Sequence, residues 1–191
     1  MNRDDRPRTE SGTAPLTELD LHLFNEGSHF RLWEEFGSHA GELDGEAGFW
    51  FSVWAPNARA VHVTGDFNQW ELEANPLDPR EDSGVWQGFI AGTLPGQAYK
   101  YRITAQDGTD FDRGDPFARR TELPPRTASI LHDADFEWKD DEWLAGRERH
   151  QALDQPISIY EVHPGSWARV AEEGDRWLGW RELAPRLADH V

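Results

Sequence analysis

The 191-residue sequence contains no cysteine. That excludes disulfides, thiolate nucleophiles and thiolate zinc sites, and it fits a cytoplasmic chain. Lysine is almost missing as well: Lys100 and Lys139 stand beside 17 arginines. Positive charge is scarce overall, with 19 basic against 36 acidic residues and a formal net charge of −17. Such a balance argues against nucleic acid or an anionic membrane as partner, because both are recognised through basic patches. No apolar run approaches the ~18 residues of a membrane span. The polar, charged stretch Met1–Pro15 lacks the apolar segment of a signal peptide. The eight histidines show no ligand spacing, so no metal is expected. No glycine-rich phosphate loop or nucleophile elbow is present, and no cofactor is implied. The length also excludes a complete (β/α)₈ barrel, which needs roughly 250 residues.

What is abundant is aromatic surface. Ten residues are tryptophan and 12% are Phe, Trp or Tyr, a composition that folds. Residues 1–15 read as a disordered tail. Residues 16–48 read as an N-terminal leader, helical or irregular around Leu16–Phe24, running into a Gly-, Glu- and Asp-rich loop from Gly37 to Gly48. Residues 49–131 alternate. Phe49, Phe51 and Val53 take one face, and Trp50, Ser52 and Trp54 take the other. Further strands are expected over Ala60–Thr64, Val85–Ile90, Tyr99–Ile103 and Ala128–Leu131, with Asp82-Ser83-Gly84 and Asp107-Gly108 as turns. Tyr99 and Tyr101 should point inward, and Lys100 and Arg102 outward. Short alternating strands with frequent turn signals specify an antiparallel β-sandwich. Residues 132–155 read as a charged linker. Pro156–His163 reads as a buried strand, and Trp180, Leu183, Ala184 and Leu187 recur at helical spacing with Pro185 inside the pattern. Residues 156–191 would then be a βα unit.

Two motifs carry chemistry. In Gly65-Asp66-Phe67-Asn68-Gln69-Trp70, Gly65 and Asn68 allow a tight turn after a strand, and Trp70 emerges at its end. Trp70 suits two roles: an aromatic that staples the turn, or a flat platform for the CH face of a glucose ring, with polar neighbours bonding the hydroxyls. Lys100 would supply a donor. In Tyr160-Glu161-Val162-His163-Pro164-Gly165-Ser166-Trp167, Glu161 and His163 fall on one face of the expected strand and could act as an acid/base pair. With no nucleophile nearby, a structural role for both is the favoured reading. The carboxylate clusters Glu34-Glu35 and Asp140-Asp141-Glu142 read as solvated faces.

The order Trp54-Ala55-Pro56-Asn57-Ala58, Gly65–Trp70, Gly96, Tyr99-Lys100-Tyr101 and Asp115-Pro116 resembles the isoamylase-type glucan-binding module, carbohydrate-binding module family 48. That resemblance implies a mainly β fold with an immunoglobulin-like sandwich. It implies sugar contacts at Trp70, Lys100 and Asn68 and an α-1,4-glucan such as glycogen or a starch-like polysaccharide as partner. The second stacking tryptophan of some members has no counterpart in Asp107-Gly108-Thr109-Asp110. The stretch with Tyr160, Glu161, His163, Gly165, Ser166 and Trp167 resembles the first barrel strand of the α-amylase superfamily, in the form found in 1,4-α-glucan branching enzymes, with Pro164 replacing the usual aliphatic residue. Leu21–Gly27 and Trp180–Ala184 resemble the same enzymes. The family's nucleophile, acid/base and stabilising carboxylates follow later barrel strands, so no catalytic residue is assigned. The resemblance implies the N-terminal part of a branching enzyme, inactive alone; the alternatives are a stand-alone glucan-binding or targeting module, or a protein-interaction module.

Overall fold

The computed structural model describes residues 16–133 and 138–191, and the Met1–Pro15 tail lies outside them. The chain divides into two compact units, Met1–Asp135 and Phe136–Val191.

In the first unit, α1 (Glu18–Glu26) starts at a capping box. Thr17 accepts from the Asp20 N–H, and Asp20 accepts in turn from the Thr17 N–H. Gly27, at φ +83°, ends the helix in the left-handed region. Strands β1 (Gly37–Leu43), β2 (Glu46–Trp54), β3 (Ala58–Gly65), β4 (Asp78–Pro79), β5 (Val85–Ala91), β6 (Ala98–Ala105), β7 (Asp110–Arg113) and β8 (Ser129–Ile130) follow. They form two antiparallel sheets, β1-β2-β5-β4 and β3-β6-β7, with β8 pairing β6. This is an immunoglobulin-like sandwich.

Alternation places the core. Phe49, Phe51 and Val53 from one sheet face Val61, Val63, Tyr99 and Tyr101 from the other, all buried, with Leu77 and Leu131 closing the layer. The Phe51 and Tyr99 rings meet edge-on at 5.2 Å. A second cluster of Leu16, Leu21, Phe36 and Val85 joins the leader to β5. The leader is therefore part of the folded unit.

Three local expectations change. Gly37–Gly48 is the β1–β2 hairpin, not a loop. Gly41 and Gly48 are strand glycines: a Cβ on Gly48 would lie 2.2 Å from the Ile90 carbonyl oxygen, and one on Gly41 would lie 2.9 Å from the Trp50 ring. The span read as a linker contains α2 (Asp141–His150), its first turn acidic and its last turn basic, in agreement with the helix dipole. Pro156–His163 forms no strand, and Ile157 and Ile159 are each 85% exposed. A strand needs a hydrogen-bonding neighbour, and none pairs with this stretch among the described residues.

The second unit continues with α3 (Pro164–Trp167), the two-residue strands β9 (Arg169–Val170) and β10 (Arg176–Trp177), and α4 (Trp180–His190). Pro185 sits inside α4, which runs through it. Leu183 is buried, whereas Trp180 is exposed. Arg176 grips both oxygens of Glu182 at 2.9 Å, and Glu182 also accepts the Gly179 N–H at 2.7 Å. The Arg176 bonds, with that from Gly179, hold the Glu182 carboxyl down at about 2.

The core is polar at one point. Asp115 is buried and accepts from the hydroxyl of Tyr99 at 2.5 Å, from that of Tyr101 at 3.3 Å and from the Phe117 N–H at 2.8 Å. Burial raises its pKa from the ordinary aspartate value, against the lowering effect of these donors. The folded state thus holds the Asp115 proton more tightly than the unfolded chain, and this group's contribution to stability falls as pH rises through that window. Tyr99→Phe removes the shortest donor. It should cost about 2 kcal/mol at pH 7 and measurably less near pH 4, where a protonated Asp115 needs the donor less; urea unfolding at both pH values reads this. By contrast, Ile157→Thr with Ile159→Thr should leave the melting temperature unchanged within about 1 °C, as neither side chain is buried. A large drop would mean that this stretch packs as a strand.

Candidate glycan-binding site

The site grows out of the end of β3. Gly65 is extended, and its Cα passes so close to β6 that a Cβ would lie 2.4 Å from the Ala98 carbonyl oxygen. From there the chain makes a 3₁₀ turn, Asp66–Asn68. Asn68 locks it: Oδ1 accepts the Gly65 N–H at 2.9 Å, and Nδ2 donates to the Val63 carbonyl at 3.0 Å and to Asn75 Oδ1 at 2.7 Å. Both of its N–H donors are therefore used inside the protein. Phe67 is half-buried and reaches into the sandwich, its ring 6.2 Å from that of Phe51.

Gln69 and Trp70 then both take left-handed backbone angles, φ +56° and +62°. For non-glycine residues this conformation carries strain of order 1 kcal/mol or more each. The surrounding bonds hold it in place: the Trp70 N–H donates to the Gly65 carbonyl at 2.9 Å, and the Glu71 N–H donates to that of Asn68 at 3.1 Å. The indole Nε1–H of Trp70 donates to Asp66 Oδ1 at 3.0 Å, while Asp66 Oδ2 accepts the Ala98 N–H at 2.8 Å. One carboxylate thus ties the turn, the start of β6 and the tryptophan together. An indole N–H bond lies in the ring plane, so it fixes the ring's orientation without occupying a π face. Trp70 is 38% exposed.

Lys100 lies on β6 directly opposite Thr64, next to the Gly65–Tyr99 pair that precedes the turn. Its Nζ donates to Thr127 Oγ1 at 2.9 Å, in the connection that leads into β8. Trp70, Asn68 and Lys100 are thus brought to the same end of the β3–β6 pair. Asp66 and Thr127 belong to the same constellation. Asp66 sits within the motif, where Asp at a turn is a visible signal. Thr127 meets Lys100 across 27 residues, which no local pattern marks.

The residues of the second motif sit in the other unit and do not form a strand face. His163 Nδ1 lies 2.9 Å from Ser166 Oγ, and Trp167 Nε1 donates to the Tyr160 hydroxyl at 2.9 Å. Both the Tyr160 and Trp167 rings pack on His190, at 5.0 and 5.6 Å. Gly165 lies within the single turn of α3, whose first residue is Pro164. Glu161 is exposed and has no hydrogen bond or ion pair among the described residues, so it does not pair with His163. Among the described residues no group of three or more His, Asp or Glu could hold a metal ion, and no helix is long and apolar enough to cross a membrane.

Comparison with known proteins gives three findings. Residues 35–118 match the model of carbohydrate-binding module 48, the isoamylase N-terminal domain. The 1,4-alpha-glucan branching enzyme GlgB of Aromatoleum aromaticum is 52% identical over 177 residues, covering 92% of this chain and 27% of that protein; GlgB of Aquifex aeolicus is 45% identical over 177 residues, covering 92% and 28%. The chain thus spans about a quarter of the length of these curated relatives. A solved Klebsiella pneumoniae pullulanase complexed with maltotriose aligns at 24% identity and a TM-score of 0.42, over 51% of this chain and 9% of that one. Residues 35–118 thus match carbohydrate-binding module 48, within a chain of which 92% matches about a quarter of the length of 1,4-alpha-glucan branching enzymes.

Proposed function

We propose that this chain supplies the α-glucan-binding module of a 1,4-α-glucan branching enzyme and works in glycogen synthesis. The observation that carries the reading is the strained, Asp66-pinned Trp70 at the sandwich end that also presents Lys100. Strain at an exposed aromatic is useful where a rigid platform is needed, because a ligand then meets a ring that has no orientation left to lose. In this reading the CH face of a glucose unit stacks on the Trp70 indole. Lys100 donates to a hydroxyl, and Thr127 keeps its ammonium in place. Asn68 acts as a positioning residue, since its amide donors hold the turn. A neutral polysaccharide also suits a chain of net charge −17, which repels polyanions.

The parent enzymes' chemistry is transfer of an α-1,4-glucan segment to a 6-hydroxyl. It runs in the manner of retaining glycoside hydrolysis, with one carboxylate as nucleophile and a second as acid and base. No step of it is assigned to Glu161 or His163. The His163–Ser166 and Tyr160–Trp167 bonds give this segment a structural part in shaping the loop where the barrel motif lies.

Affinity electrophoresis in glycogen-containing gels tests the binding reading. Trp70→Ala should weaken retardation roughly tenfold or more, from loss of about 2 kcal/mol of stacking and burial. Lys100→Met should weaken it severalfold, by loss of a single hydrogen bond. Unretarded migration of the wild-type chain would overturn the reading. Incubation of amylose with the purified chain should leave its iodine colour unchanged; a loss of colour would show that it branches glucan unaided.

A further inference from the structure

A groove of about 710 Å³ opens at the opposite end of β3 from Trp70. Phe24, Trp54 and Trp86 line it together with Asn25, Glu81 and Asp82. We infer that this groove is a second α-glucan site, with Trp54 as its stacking surface and the Glu81 and Asp82 carboxylates as acceptors for sugar hydroxyls. The ligand class rests on the reading of Trp70 above; the site itself rests on the groove.

The groove is built around a positioned aromatic. Trp54 is 55% exposed at the last position of β2, and the Phe24 ring meets its ring edge-on at 6.0 Å and 74°. Gly84, at φ +75°, lies beside Pro56 and the indole nitrogen of Trp54: a Cβ there would come within 2.7 Å of Pro56 Cβ and 3.1 Å of Trp54 Nε1. The Ala55 N–H donates to the Gly84 carbonyl at 2.8 Å, and Trp86 Nε1 donates to the Ala55 carbonyl at 3.1 Å. Both tryptophans are thus held by the turn that closes the groove.

The turn that carries the polar side is fixed in its backbone. Arg80 and Val85 pair through the Arg80 N–H at 2.7 Å, and the Ser83 hydroxyl bonds the Arg80 carbonyl at 2.5 Å and the Val85 N–H at 3.1 Å. Glu81 and Asp82 ride at the exposed tip of this turn, where neither makes a hydrogen bond or ion pair with a described residue. Carboxylates that no described residue satisfies, beside aromatic faces and with no cation among the described lining residues, repel anions and accept from hydroxyl donors. A neutral polyol with apolar CH faces meets both demands.

Titration of the ¹⁵N-labelled chain with maltoheptaose, following the indole N–H resonances of Trp54 and Trp70 separately, decides the matter. Both should move on saturation. In Trp70→Ala the Trp54 response should persist with its apparent affinity changed less than twofold. Glu81→Gln with Asp82→Asn, which alters no packed residue, should weaken the Trp54 response at least threefold and leave that of Trp70 intact. A Trp70 response with Trp54 unmoved would overturn the second site and leave the first standing; the reverse would overturn the first alone. A Trp54 response to triarginine but not to maltoheptaose would also overturn the proposal and make the groove a surface for cationic peptides.

Discussion

The sandwich depends on how it seats one buried carboxylate. Asp115 would be expensive in a dry core, and burial does raise its pKa. Its three donors, Tyr99, Tyr101 and the Phe117 N–H, offset that cost and in doing so fix geometry. The Asp115 N–H in turn donates to Ser129 Oγ at 2.8 Å, which draws β8 onto the same point. Burial and the adjacent carboxylate hold both tyrosine hydroxyls protonated far above their ordinary range, so they remain donors. Tyr99 then meets Phe51 of the facing sheet with its ring, and its backbone lies opposite Gly65. The place where the binding turn begins is therefore set by a contact chain that runs from the core outward.

The same dependence explains why the turn tolerates strain. Gly65 lies against Ala98 with no room for a side chain, and Asp66 bonds the Ala98 N–H. With its two ends tied to β6 and its middle locked by Asn68, the turn leaves Gln69 and Trp70 no relaxed alternative that keeps these bonds. The energy comes from the sheet, and the product is an aromatic ring held by its N–H edge. Rigidity of this kind lowers the ordering cost that a flexible polysaccharide would otherwise impose on its receptor.

Much of this was legible in the residues. Period-two alternation located the Phe49, Phe51 and Val53 face and the inward tyrosines, because burial on one face of a pleated strand leaves that pattern. Where the sequence misled, the cause was glycine or isolation. The glycines of Gly37–Gly48 suggested a loop, yet Gly41 and Gly48 make room for the Trp50 ring and for the β5 backbone. Pro156–His163 carries strand-like alternation, but a strand exists only as a pair, and pairing is not a local property. At the site, the turn motif exposed Trp70. The Asp66 clasp and the Lys100–Thr127 contact came only with three-dimensional closure, and Asn68, read as a sugar contact, spends its donors on the turn.

Two sites at opposite ends of an eight-residue strand would stand roughly 25 Å apart. A short oligosaccharide stacked on Trp70 cannot span that distance, whereas a branched polymer can offer separate chains to both ends. Each contact is individually weak, because one stacked glucose buries little area and its hydroxyls exchange water for protein at small net gain. Once the first chain is bound, however, the second is held at a high local concentration set by the polymer, and the product of two weak contacts becomes a useful affinity. Such a module discriminates by architecture. It would favour a large branched glucan over free short chains, even though each site would contact the same chemical groups in both.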